Sequence, residues 1–416
     1  RKGQIMSNTK TIVNKDRGDE SVKGFLKNQF KPKGKIFTPF NMISVPIVIL
    51  GIVLIVIRFA KGIGSITNLD QEIPWGLWIG FDVVTGVAFA GGAYVITFMV
   101  YIMKLKKYQS IVRVTVLNGF LAYVFYAGAL LLDLGRPWNV INPIIGNNFG
   151  VSSVLFLVAW HFLLYMVAQL IEFSPSIAEW LGAKRAHKIL SSMTLAAVIF
   201  GITLSTLHQS GLGALFLMAK EKIHPLWYNE FIPISFFVSS IFAGLSMVIF
   251  EGSITNKVFS DQITEESHKN HDSILHGLAR ICAVTMFTYF FLQILVFIHG
   301  RHGDLLNTKM GYWYLTEMIG FVLLPMALYF YAYRKRNIKL IRIAALVTMI
   351  GIIINRLNVT VIGFKWDAAT PYVPSWQEIV VTLTVLAVEI FIFRWVIRRL
   401  PVLRESPSWA KATNKH

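Results

Sequence analysis

The sequence predicts an all-α polytopic membrane protein of about ten transmembrane helices, on three observations. Mean hydropathy is +0.57 and only 15% of the residues are charged. Apolar runs of spanning length recur from residue 41 to residue 397, and about 20 helical residues cross a hydrocarbon core about 30 Å thick. The basic residues gather in alternate connections, as the positive-inside rule requires of a chain that threads back and forth.

A basic tail of residues 1–40 precedes a helical bundle of residues 41–399, and a carboxyl tail of residues 400–416 follows it. The expected spans are Asn41–Ile57, Trp75–Tyr101, Thr115–Leu132, Val151–Ile171, Ser191–Leu207, Phe231–Phe250, Leu278–Ile298, Trp313–Tyr333, Ile341–Ile362 and Ile379–Ile397. Pro325 and Gly351 are the expected sites of bending. With ten spans, the amino-terminal tail, the Lys104–Arg113 connection, the Lys184–Lys188 region, the loop of Lys257 and Lys269, the Arg334–Arg342 connection and the carboxyl tail share one side. That places both termini in the cytoplasm. The first forty residues lack a signal-peptide pattern, so insertion is expected to use the internal helices.

Composition also excludes function classes. The net charge of +18 lies in short loops rather than along one binding face, which argues against a nucleic-acid partner. Cys282 is the single cysteine, so no internal disulfide, thiolate-ligated iron–sulfur cluster or CxxC pair is available, and cysteine-held electron carriers belong on another chain. No Walker loop, dinucleotide fingerprint or HExxH motif occurs.

Against this apolar background the ionisable residues stand out. Asp82 falls near the start of the second span, below Trp75 and Trp78, which suit a headgroup boundary. An ionised carboxylate is costly in hydrocarbon, so Asp82 is expected to face the bundle interior or a polar cavity. Gly86, Gly91 and Gly92 beyond it admit a neighbouring helix or a flat ligand. Asp133 and Arg136 end the third span in DLGRPW. If helical geometry continues there they share a face and form an ion pair; either this is an end cap, or Asp133 exchanges a proton while Arg136 orients it. His208 closes the fifth span in STLHQSGLGAL, where Gln209 or Ser210 orients it and Gly211 and Gly213 permit a close turn. With ten spans, these groups all lie near the outer membrane face.

Other polar groups mark interior routes. His161 lies inside the fourth span, Glu251 ends the sixth, Glu317 lies about one turn inside the eighth, Arg356 lies in the ninth and Glu389 near the centre of the tenth. Each is either a relay for protons or an interhelical hydrogen-bonding group. A bis-histidine haem needs opposing histidines at matching depth, and His161 and His208 differ by several turns. TPYVPSWQE reads as an ordered outer loop with an aromatic anchor.

The motifs PWGLWIGFD, DLGRPWN, GVSSVLF, TLHQSGLGAL, KIHPLW, VIFEGS and YVPSWQE follow one another from the second span to the last. In this set and order the chain resembles the NrfD/PsrC family of integral membrane subunits, and its branch containing the membrane subunit of nickel–iron hydrogenase 2. The resemblance implies a subunit of the bacterial or archaeal cytoplasmic membrane without a haem, iron–sulfur or covalent cofactor of its own. It implies electron exchange between a periplasmic ferredoxin-like iron–sulfur subunit, further catalytic or cytochrome subunits, and menaquinone or ubiquinone. It carries a quinone-site role onto Asp82, Asp133, Arg136 and His208, with Gln209 beside them, and matches Glu251, Glu317, Arg356 and Glu389 to polar positions of the branch. The alternatives are an ion transporter and a passive anchor for redox subunits.

Overall fold

The computed structural model describes residues 24, 28–146 and 150–411. Most of the basic tail and residues 412–416 lie outside the described residues. Two units are distinguished, Arg1–Ile43 and Ser44–His416. In the first, Thr38 accepts a hydrogen bond from Asn41 N (3.2 Å) at the entry to the first long helix.

Among the described residues ten helices are long and apolar enough to cross a membrane. They are α1 (Pro39–Lys61), α2 (Trp78–Ile102), α3 (Lys106–Asp133), α4 (Val154–Leu181), α5 (Lys184–Leu217), α6 (Ile232–Val258), α7 (His268–Gly300), α8 (Lys309–Lys335), α9 (Ile338–Ile362) and α10 (Trp376–Ile397). Within Ser44–His416, α2 to α5 pack as one ring of four and α6 to α9 as a second. The rings meet where α2 and α5 lie against α6, and α10 packs against α2 and α3.

Lipid is as apolar as leucine, so close packing rather than water exclusion holds such helices together. The α2–α6 contact shows how. A Cβ on Gly92 would lie 2.7 Å from Gly244 O, and one on Gly91 would lie 2.7 Å from Ser240 O. The glycines of α2 therefore serve a neighbouring helix, and Gly86 admits the ring of Tyr126. On the other edge of the first ring, Thr384 Oγ1 of α10 reaches Ile47 O of α1 (3.2 Å).

Four stretches of these spans wind wider than an α-helix. Trp78–Thr85, Phe98–Ile102, Glu317–Leu323 and Asn358–Ile362 are π-helical, and such turns are frequent at functional sites. The third runs directly into Pro325, whose missing N–H interrupts the regular ladder. Gly351 makes no bend; it lets α9 approach that turn, where a Cβ would lie 2.7 Å from Phe321 O.

The connections are clasped to one another. Ile223 and Phe364 form an antiparallel bridge, and His224 N donates to Gly363 O (2.8 Å). At the opposite end, Arg113 makes a bidentate pair with Glu179 (2.7 and 2.9 Å), His187 Nε2 approaches the same carboxylate (3.2 Å), and Arg113 also donates to Pro401 O (3.0 Å). The described part of the carboxyl tail folds back, with Val402 and Ala410 buried.

Two outcomes follow. Gly244→Val forces α2 and α6 apart and lowers stability by about 1–3 kcal/mol or more, measured by thermal unfolding in detergent, whereas Gly128→Ala, with open space around it, leaves stability unchanged. Burial and the neighbouring His302 push the pKa of His224 below its ordinary value, so the folded protein favours neutral imidazole. Its stabilising contribution is complete above about pH 6.5 and is lost as pH falls. Below that pH the melting temperature of the wild type falls more steeply than that of His224→Asn.

Candidate functional site

Asp82 lies in the π-helical turn that opens α2 and is 1% exposed. Widening the turn displaces the usual backbone pairing, and Thr85 Oγ1 compensates by donating to Gly80 O (2.7 Å). Absence of a side chain at Gly80 lets the π turn of α9 come close, through Thr360. Thr382 Oγ1 of α10 donates to Asp82 Oδ2 (2.9 Å), while Asp82 Oδ1 is buried without a partner. Asp133, the last residue of α3, is within electrostatic reach of Asp82 and likewise has a buried, unpartnered Oδ1.

The cation beside this pair is not the expected one. Helix α3 stops at Asp133, Leu134 is extended, and Arg136 is exposed without an ion pair to Asp133. The expected pairing fails because it needed helical spacing to continue into a segment that has left the helix. Arg58 of α1 takes the place instead. It is 2% exposed, its Nε donates to Leu132 O (2.8 Å), its second amino group donates to Leu134 O, and Asp133 lies within its electrostatic reach. It thus satisfies carbonyls left open at the end of α3 and sets a positive charge against that helix terminus.

Glu378 closes this end of the group. The Ser375 and Glu378 side chains form a capping box at the start of α10, and the Glu378 carboxylate also accepts from the Tyr372 hydroxyl and Asn68 N (3.2 Å). Trp78 is buried, with Nε1 donating to Glu378 O (3.2 Å), and Trp75 stacks on Phe364 at 4.8 Å. Both tryptophans therefore pack inward rather than marking a headgroup boundary. YVPSWQE fastens the ends of α2 and α10 together, while Trp376 and Trp138 are exposed.

From Asp82 a line of acids continues into the bundle. Glu389 of α10 is within electrostatic reach of Asp82, and Glu251 of α6 is within reach of Glu389. Tyr126 lies near both Asp82 and Glu389. Glu251 sits two turns inside α6, because that helix continues to Val258 rather than ending at the acid. One oxygen of Glu251 is buried and unpartnered.

His208 belongs to a separate group. Helix α5 runs on to Leu217, so His208 lies inside the helix rather than at its end. Gly213 makes no turn and lies against the Ile232–Pro233 backbone. The His208 ring lies between Phe162 (5.5 Å) and Tyr123 (5.7 Å), and Nδ1 donates to Val158 O (3.3 Å). That bond leaves the buried Nε2 as an acceptor without a partner. His161 is within its electrostatic reach and has an unpartnered Nδ1. Gln209 points the other way, donating to Val87 O (2.8 Å). No described contact joins His208 to Asp82 or Asp133.

Glu317 and Arg356 form a third group, in the second ring. Glu317 accepts from Trp227 Nε1 (2.7 Å), Asn355 Nδ2 (2.7 Å) and Asn358 Nδ2 (2.6 Å). Arg356 donates to Asn355 Oδ1 and Ser239 Oγ, both at 2.7 Å, and lies 3.7 Å over the Phe236 ring. A small cavity of about 20 Å³ adjoins the group. Among the described residues no set of three or more His, Cys, Asp or Glu is arranged to hold a metal ion. Arg58 and Glu378 escaped the sequence reading because each lies near a helix end, where charge is ordinary; the coincidence of several motifs around Trp78 was the available signal.

Ten apolar spans enclosing buried acids define a multi-pass membrane protein. Residues 65–365 match the family described as polysulphide reductase, NrfD, and the chain belongs to that family. It is 41% identical over 379 residues to a protein of Nitratidesulfovibrio vulgaris, covering 91% of this chain and 97% of the other. It is 29% identical over 377 residues to a probable Ni/Fe-hydrogenase 2 b-type cytochrome subunit of Escherichia coli, covering 89% and 94%. It is 27% identical over 368 residues to a menaquinone reductase integral membrane subunit of N. vulgaris, covering 82% and 86%.

Arg58→Met opens the carbonyls at the end of α3 and lowers stability by about 2 kcal/mol, read by thermal unfolding, whereas Arg136→Gln leaves the melting temperature unchanged.

Proposed function

We propose that this chain is the quinone-reactive membrane subunit of a respiratory oxidoreductase complex, with Asp82 and Asp133 as its proton-exchanging groups. The observation that carries the proposal is that α2 and α3 bring two buried carboxylates together, each with an unpartnered oxygen. An unsatisfied carboxylate in a bilayer is costly unless a ligand or proton uses it. Family membership supports the redox setting, and the related menaquinone reductase subunit favours menaquinone over ubiquinone as substrate.

When bound, the quinone supplies a two-electron, two-proton couple. Asp82 and Asp133 supply or take up protons at the free Oδ1 atoms, and Arg58 holds the Asp133 end of α3 in place. Arg136, exposed beside this end, orients an incoming ligand or partner. His208, through its free Nε2, offers a secondary acceptor within its own group, and Gln209 ties α5 to the α2 backbone. Glu389 and Glu251 continue a proton route inward, and His161, beside His208, serves that separate group. Glu317 and Arg356, held by several partners, brace the second ring.

With both termini in the cytoplasm, Asp133 and Glu378 face the periplasmic end, where a ferredoxin-like iron–sulfur subunit delivers electrons. Further catalytic or cytochrome subunits complete the assembly. The related E. coli protein is named a b-type cytochrome subunit, but the buried histidines here fit haem ligation poorly. His187 is held by Glu179, His224 Nδ1 accepts from Leu226 N (3.2 Å), and aromatic rings enclose His208.

Asp82→Asn and Asp133→Asn in the intact complex are expected to lower quinone turnover about 100-fold while subunit assembly and reduction of the iron–sulfur partner remain normal. Normal quinone kinetics in both variants overturn the assignment. Ion flux through the isolated chain without redox turnover would instead indicate a transporter.

A further inference from the structure

A second, larger cavity of about 650 Å³ lies away from the carboxylates, bounded by parts of α2, α3, α5, α6, α7 and α8. Its volume is typical of a ligand site. Its deep walls are apolar, including Val95, Ile202 and Ile241, and the polar atoms among them are already engaged. The Tyr94 hydroxyl bonds Ser240 Oγ (3.0 Å), and Thr206 Oγ1 donates to Ile202 O (2.9 Å).

The mouth has the opposite character. Lys107 Nζ and the Tyr108 hydroxyl both come against Gly277 of α7, where a Cβ would lie 3.1 Å from the ammonium. Arg280, one turn farther along α7, is exposed, pairs with no carboxylate among the described residues, and is within electrostatic reach of the Tyr108 hydroxyl. No acid among the described residues lines the cavity. His276 is already committed, with Nε2 donating to Tyr333 O (2.9 Å) and its ring stacked on Tyr333. Arg280 precedes the end of α7 at Gly300 by about 30 Å of helical rise, the thickness of a bilayer's hydrocarbon core. Exposed Phe98, Met103 and Leu105 on the rim leave the cavity open sideways to lipid.

We infer that this cavity is a binding site for an anionic phospholipid, its phosphate held by Lys107, Arg280 and the Tyr108 hydroxyl and an acyl chain lying along Val95, Ile202 and Ile241. Two cations without an acid select a phosphate-bearing headgroup of net negative charge, and the apolar depth excludes a soluble anion as the occupant. A quinone ring would find no free hydrogen-bonding partner in the deep part, whose polar groups are satisfied.

The purified, delipidated complex is incubated with phosphatidylglycerol or phosphatidylcholine, and retained lipid is counted by native mass spectrometry. The wild type is expected to retain phosphatidylglycerol about tenfold better than phosphatidylcholine. Lys107→Gln with Arg280→Gln removes that preference, and Ile241→Trp, which fills the cavity without altering charge, lowers retention of phosphatidylglycerol. Both variants are first checked for wild-type assembly, and Arg280→Gln alone, at an exposed position, serves if the double variant assembles poorly. An unchanged preference in the charge variants overturns the inference. So does displacement of the retained lipid by millimolar inorganic phosphate or by menaquinone.

Discussion

The contact on which the remaining architecture depends is the one between the backbones of α2 and α6. Gly91 and Gly92 meet Ser240 and Gly244 so closely that no side chain fits between them. This fixes the junction of the two four-helix rings. It also fixes α2, whose π-helical opening turn carries Asp82. Membrane helices gain little from excluding water, so shape at such crossings has to supply the specificity that a hydrophobic core supplies in a soluble protein.

Six of the acids in the bundle fall into two kinds. Glu179, Glu317 and Glu378 are surrounded by donors, and each ties together elements distant in sequence. Asp82, Asp133 and Glu251 each retain a buried oxygen with nothing to bond. The first kind stabilises the fold at positions where a single missing donor would leave charge in a medium of low polarity. The second kind carries unsatisfied bonding capacity, which suits exchange of protons with something that comes and goes.

The helices were legible because hydrocarbon-length apolar runs leave few other options, and the ten spans appear in the expected order. Their ends were less legible. His208 was expected to close a helix and Gly211 and Gly213 to permit a close turn after it, yet in α5 these glycines serve packing and the helix continues. The Asp133–Arg136 pairing rested on spacing that holds only within a helix, and α3 ends three residues short of Arg136. Asp82 and Asp133 were recognisable as buried acids from the cost of charge in lipid alone. Their common neighbourhood depends on α1 and α10, which lie far away in sequence, and no local pattern records that.

The Asp82–Thr382 hydrogen bond joins residues 300 positions apart. During synthesis α2 emerges early and α10 last, so Asp82 is made long before its hydroxyl donor exists. Until the tenth helix is inserted, this carboxylate lacks Thr382, and the α2 entrance lacks the Tyr372 and Glu378 clasp. Completion of the chain is therefore also completion of the acidic centre, and a nascent protein halted after nine crossings would be threaded through the bilayer yet chemically unfinished.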